Sequence, residues 1–231
     1  MKEGRQVEKG LQIGTKFREN GMPERYPGVT VITNVEKDNP AYPVIHSVYR
    51  KLDTEDAEKT FIFLPEDSYH ITVIRGFNYF VREDEFWPAG LNKDVTMADA
   101  DTYFAEKVSP IRYPRDRIHM KFESLKIDES DVRICVKPFD EAEERCLSDY
   151  RDRVADAVRL KLPGHDSYVF HVTVAYIRYV PEGKMKQALS DKVTAVNEYL
   201  KRQEPFFVSP PGVAYYDDML RFSFQKIERK P

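Results

Sequence analysis

The sequence predicts an α+β fold of two lobes, each a largely antiparallel sheet facing a central cleft with helices outside. Two observations carry this. Strand-like and helix-like segments are mixed along the 231 residues, with hairpins and few strict βαβ alternations. One phrase also occurs twice: SYHITVIR at Ser68 to Arg75 and FHVTVAYIR at Phe170 to Arg178, their histidines 171 − 70 = 101 residues apart. One copy in each half, each after a helix or helix candidate and a polar turn, points to a pseudo-symmetric pair of lobes.

The elements follow in order. Residues 1 to about 20 are polar and read as a loosely ordered segment, and GMPERYPG continues as loop. VTVITNV from Val29 alternates and is β-branched, so it reads as a strand. YPVIHSVYRKL is ambiguous and reads best as a helix after Pro43. TFIFL and YHITVIR read as strands with PEDS as the turn between them. TMADADTYFAEKVS is a helix capped by Thr96, with Asp99 three residues on. RIHMKFESLKI and DVRICVKPF form a hairpin around a short polar turn. DEAEERCLSDYRDRVADAVRLKL from Asp140 is a long charged helix stopped by Pro163-Gly164. YVFHVTVAYIRYV is the most β-like run, EGKMKQALSDKVTAVNEYLKR is helical, and the C-terminal segment holds two or three short strands with turns at PPG and DD.

Composition bounds the function. Hydrophobic residues make up 41% and charged residues 32%, as in globular proteins, and one domain over residues 1–231 is expected. The net charge of −3 and pI near 6.0 argue against wrapping long duplex nucleic acid and favour a small substrate. Two cysteines, Cys135 and Cys146, allow neither a disulfide framework nor a CxxC zinc pattern. No apolar run approaches the roughly 20 residues of a membrane span, and no apolar signal core opens the chain. The expectation is a cytoplasmic monomer without membrane contact.

The repeated phrase carries the chemistry. On a strand, His70 and Thr72 share one face with Ser68 upstream and Ile74 downstream, while Tyr69, Ile71 and Val73 face away. His171, Thr173 and Ala175 repeat the pattern. Each strand thus shows an imidazole and a hydroxyl roughly 6 to 7 Å apart. Brought together across a cleft, two histidines and two threonines suit phosphodiester chemistry without a metal or other cofactor. One neutral imidazole takes a proton, one imidazolium gives a proton, and the hydroxyls bind non-bridging oxygens. Histidine titrates near 6.5, so both limbs of a pH profile are expected within a couple of units of neutrality. A lone His-x-Thr on a strand is more often structural; two copies of matched parity favour function. No HxH or HxxxH spacing supports zinc.

These motifs resemble those of the 2H phosphoesterase superfamily, which includes cyclic phosphodiesterases and 2′-5′ RNA ligase-like proteins. YPGVTVI, LPEDSYHITVIRG, Trp87-Pro88, GHDSYVFHVTVAYI and DDMLRF narrow the resemblance to a branch described as a domain of unknown function. The resemblance implies a bilobal fold with both motifs on central strands. It implies His70 and His171 as acid and base, and Thr72 and Thr173 as phosphate ligands. Tyr26, Arg25 and Thr30 become cleft-edge residues by resemblance alone, and Val29 stands where the branch has a polar residue. The implied substrate is a nucleotide or short RNA end. The alternatives are a non-catalytic binder of a phosphorylated ligand, or 2′-5′ ligation.

Other residues divide between roles. Trp87 either stacks on a base or plugs the rim of the core. Arg75 and Arg178 follow the motifs, but 75 − 70 = 5 and 178 − 171 = 7 are odd, and regular parity turns both away from the histidines, with a strand bend at Gly76 as the alternative for Arg75. His46, His119 and His165 read as surface residues, and the charges from Asp140 to Arg153 as a solvated helix face.

Overall fold

A computed structural model describes residues 8–52 and 57–228. Its first sheet has strand order β3-β1-β8, from β1 (Gly28–Asn34), β3 (His70–Asn78) and β8 (Gly212–Tyr216). Its second has order β2-β6-β5-β4-β7, from β2 (Phe61–Phe63), β4 (Ile118–Ile127), β5 (Asp131–Pro138), β6 (His171–Ile177) and β7 (Phe206–Val208). All pairings are antiparallel. The two-lobed α+β architecture is therefore as the sequence predicts.

The helices form where apolar spacing and caps direct them. They are α1 (Ala41–Leu52), the single turn α2 (Ala57–Thr60), α3 (Met97–Val108), α4 (Glu141–Val158) and α5 (Gly183–Leu200). In α1, Ala41, Val44, Ile45, Val48 and Leu52 form one buried stripe. Thr96 caps α3 by accepting from the Asp99 amide at 3.1 Å, and Asp140 caps α4 by accepting from the Glu143 amide at 2.8 Å. Thr96→Ala is expected to cost about 1 kcal/mol, measured by chemical denaturation. The chain leaves α4 at Arg159, in the left-handed region at φ 58°, so this helix ends before Pro163-Gly164. Residues between Arg159 and Phe170 become a loop beside the second motif. Helix α4 touches both β5 and β3, joining the two sheets from outside, and α5 packs on β4.

The lobes exchange strands. TFIFL and YHITVIR are consecutive but do not pair: β2 pairs with β6, whereas β3 pairs with β1. The 3-10 turn Glu66–Ser68 carries the chain between sheets. At the other end β7 pairs with β4 and β8 with β1, so Pro210-Pro211 makes a second crossing. Strand β3 is an edge strand of its own sheet, with β1 at the centre, yet it lies against β6 at the middle of the molecule.

Of the N-terminal segment expected to be loose, residues 1–7 lie outside the described residues. Residues 8–20 do not fit that expectation. Phe17 is fully buried, its ring 4.9 Å from Tyr176, and the Gly10 amide donates to the Arg178 carbonyl at 3.1 Å. A Cβ on Gly10 would meet the Ile177 carbonyl oxygen at 1.9 Å, so glycine allows this close approach. Among the described residues no helix is long and apolar enough to cross a membrane.

Candidate functional site

The two motif strands line one cleft of about 880 Å³ between the sheets. His70, Thr72, His171 and Thr173 all face it. In both histidines Nδ1 is tied to the carbonyl two residues upstream: His70 to Ser68 at 2.7 Å, His171 to Val169 at 2.8 Å. A carbonyl only accepts, so Nδ1 carries the proton in each ring. The neutral rings therefore share one tautomer and leave Nε2 as the free acceptor. Phe222 covers His70 with ring centres 4.2 Å apart, and Tyr168 lies 6.1 Å from His171.

A matched irregularity follows each motif. In the β1–β3 ladder Ile32 faces Thr72 and Val31 faces Ile74, so Val73 has no partner. In the β5–β6 ladder Arg133 faces Thr173 and Val132 faces Ala175, so Val174 has none. Each β-bulge sits three residues after its histidine. Both bulge residues turn into the core: Val73 and Ile74 on one strand, Val174 and Ala175 on the other. The regular alternation placed Ile74 and Ala175 on the cleft face, and the bulges overturn that. Arg75 and Tyr176, each five residues past its histidine, line the cleft instead. Parity had turned Arg75 away; the extra residue turns it back.

The freed carbonyls are satisfied. Arg151 of α4 is buried and donates to the Val73 oxygen, and at 2.7 Å to the His165 oxygen. The Leu64 amide donates to the Val174 oxygen at 3.0 Å. Thr30 donates its hydroxyl to the Ile74 oxygen at 2.8 Å. Thr30 lines the cleft, yet its proton is committed to holding the bulge. Arg151 also lies over Tyr168 and Phe170, at 4.7 and 5.5 Å, so this part of α4 is not a solvated face.

The other expected residues separate. Tyr26 lines the cleft. Ser68 is buried in the 3-10 turn with its hydroxyl bonded to the Pro65 oxygen at 2.6 Å; it serves His70 through its carbonyl. Trp87 is 2% exposed, packs edge-on to Phe77 at 4.9 Å and donates Nε1–H to the Leu91 oxygen at 3.0 Å. It plugs the core and offers no face to a base. Val29 is fully buried, so this position is core. His119 is stacked between Phe139 and Phe207, at 4.0 and 4.1 Å.

Several cleft residues were not singled out from sequence. Lys16, from the N-terminal arm, lies over the rings of Tyr26 and Tyr176 at 5.5 and 5.3 Å. On β5, Cys135, Arg133 and Asp131 stand in register beside His171, Thr173 and Tyr176. Arg133 is ion-paired to Asp131 at 2.8 Å and also to Asp128. Cross-strand neighbours far apart in sequence leave no local signal. Arg75 and Tyr176 did leave one, their shared position five residues after each histidine.

Burial sets the electrostatics. Loss of water, with a smaller contribution from His171 nearby, lowers the His70 pKa to about 4 although its bond to the Ser68 carbonyl acts the other way. Burial also lowers His171, and the cations Arg133, Lys16 and Arg75 act the same way. Both shifts favour the neutral ring over the imidazolium in the free protein. Burial raises Asp131 to about 6 despite Lys16 nearby. Among the described residues, the group whose ligand atoms could meet a metal ion is Asp152, His165 and Asp166; it includes neither motif histidine.

Comparisons with known proteins agree with this geometry. A family profile described as "2H-phosphodiest: Domain of unknown function (DUF1868)" matches residues 16–130, close to half the chain and including the first motif. The crystal structure of a conserved protein of unknown function, ATU0111 from Agrobacterium tumefaciens str. C58, shares the fold at TM-score 0.83. It is 24% identical, over 93% of this chain and 91% of that one. TT0787 of Thermus thermophilus is matched at TM-score 0.42 and 14% identity, over 81% of this chain and 86% of that one. The chain has no significant match among curated proteins. With the matched span running from the N-terminal arm to the end of β4, and the fold shared through both motif strands, the chain belongs to the 2H phosphoesterase superfamily, in the branch described as a domain of unknown function.

Proposed function

We propose that the protein is a metal-independent phosphodiesterase acting on a cyclic phosphate or phosphodiester of a nucleotide or short RNA end. The observation that carries this is the pair of histidines on one cleft, each with Nδ1 held by a backbone carbonyl and Nε2 free among the described residues. The unprotonated Nε2 of one takes a proton from water as the water oxygen bonds to phosphorus. The bond from phosphorus to the leaving oxygen breaks with its electron pair. The Nε2–H of the other histidine protonates that oxygen, and the pair ends with its protonation states exchanged. Thr72 and Thr173 donate to the non-bridging oxygens, where negative charge grows. Arg75 and Arg133 add positive potential to the same cleft.

The reaction needs one protonated ring, and both pKa values lie below the ordinary 6.5. A bound phosphate anion favours the imidazolium and restores that proton. In the free protein the singly protonated pair is most populated between the two values. The pH optimum of kcat/KM is therefore expected below 6.5, with its acid limb near 4. The profile of kcat, which reports the complex, is expected to lie at higher pH. An optimum of kcat/KM at or above pH 7 would contradict this assignment.

The deciding experiment is turnover of 2′,3′-cyclic mononucleotides, cyclic-ended short RNAs and 2′-5′-linked oligonucleotides in EDTA, with wild type beside His70→Ala/His171→Ala. Turnover that survives EDTA and vanishes in the double variant is expected. Tight binding without turnover across the panel would replace the enzyme with a phosphate-ligand binder.

A further inference from the structure

The two halves of the cleft match as far as the fifth residue after each histidine, where Arg75 stands in one and Tyr176 in the other. Arg75 is occupied: it donates to the Pro163 oxygen and lies 5.8 Å from the Tyr168 ring. At Tyr176 the cation comes from elsewhere. Lys16 reaches over the Tyr176 and Tyr26 rings from the N-terminal arm, which is pinned there by the fully buried Phe17.

Lys16 has no hydrogen bond or ion pair from Nζ among the described residues. The carboxylate that acts on it is Asp131, which is ion-paired to Arg133. The side chain is partly buried, and burial lowers its pKa. A partly buried cation whose nearest carboxylate is shared with Arg133 is costly, and a ligand anion lowers that cost. Burial raises both tyrosine hydroxyls, which stay protonated and able to donate. An ammonium with two phenols is a donor set suited to the several oxygens of a phosphate.

This place is displaced along β6 from the phosphoryl site: Tyr176 lies five residues beyond His171, one of them in the bulge, while Lys16 is near enough to act on the charge of His171. Tyr168, beside Arg75, lies on the other side of His171 along the chain. A cleft of about 880 Å³ accommodates one small molecule reaching both places.

Resting on the reading of the histidine pair as the phosphoryl site, we infer that Lys16, Tyr26 and Tyr176 form a second subsite for a phosphate monoester, so that the substrate carries a phosphate besides the diester attacked. A nucleotide with a 5′-phosphate and a 2′,3′-cyclic phosphate has this chemistry.

Calorimetric titration with two product-type probes tests it: adenosine 2′-monophosphate and adenosine 2′,5′-bisphosphate. Wild type is expected to bind the bisphosphate at least tenfold more tightly, as for a charge-assisted contact of about 1.4 kcal/mol or more. Lys16→Met should bring the ratio close to one, and Lys16→Arg should keep most of the preference, with melting temperatures showing that both variants fold. A wild type without preference, including one that binds neither probe, overturns the inference; so does a preference that Lys16→Met retains. The two readings fail separately. A Lys16-dependent preference with no diester turned over would sink catalysis but keep the subsite. Histidine-dependent turnover with no preference would do the reverse.

Discussion

His70→Ala and His171→Ala are each expected to lower kcat on a responsive phosphodiester by roughly 10²- to 10⁴-fold, the usual range for a positioned acid or base. The double variant should be little worse than the more damaging single one, because acid and base act in one step. Neither change should cost much stability. Each ring is half-buried in the cleft and, among the described residues, makes a single hydrogen bond to a carbonyl, so a change within about 1 kcal/mol is expected. Single-turnover kinetics beside denaturant melts separate the two effects. A His70→Ala protein of full activity would remove His70 from the mechanism.

Arg151→Met is expected to give the largest loss of stability among the substitutions considered. Its guanidinium donates to two backbone carbonyls, Val73 at the bulge of β3 and His165 in the loop after α4. Hydrogen bonds from a charged donor contribute about 1.5 to 3 kcal/mol each. Methionine fills much of the space and removes the cost of burying a charge, which offsets part of that loss. The net cost expected is about 3 kcal/mol. At this chain length that is a fall in melting temperature of roughly 6 to 12 °C. Activity should fall too, because the same bulge follows Thr72 directly and sets Arg75 on the cleft. A loss below about 1 kcal/mol, by chemical denaturation, would show that the bulge holds without Arg151.

Much of the fold was legible in local pattern. The Thr96 cap, the β4–β5 hairpin and the alternation on both motif strands depend on neighbours a few residues apart, and the sequence displays those. Parity failed where the strands bulge. An extra residue shifts every later side chain to the other face, and here the ladder partners β1 and β5 set the register of the bulged strands. Trp87 shows the same limit. A lone tryptophan in a loop reads equally as base platform or core plug, and only the packing of Phe77 against it decides.

The sequence by itself determined the α+β class, the two lobes and the repeated histidine and threonine pairs, because periodicity and repetition are local properties. The tertiary structure alone decided that β2 joins the second sheet and β8 the first, that Arg75 and Tyr176 reach the cleft, and that Lys16 comes in from the N-terminal arm. It also decided the charge state of the histidines. The pKa of a side chain depends on how much water its surroundings remove and which charges they bring near, and residues distant in sequence supply both.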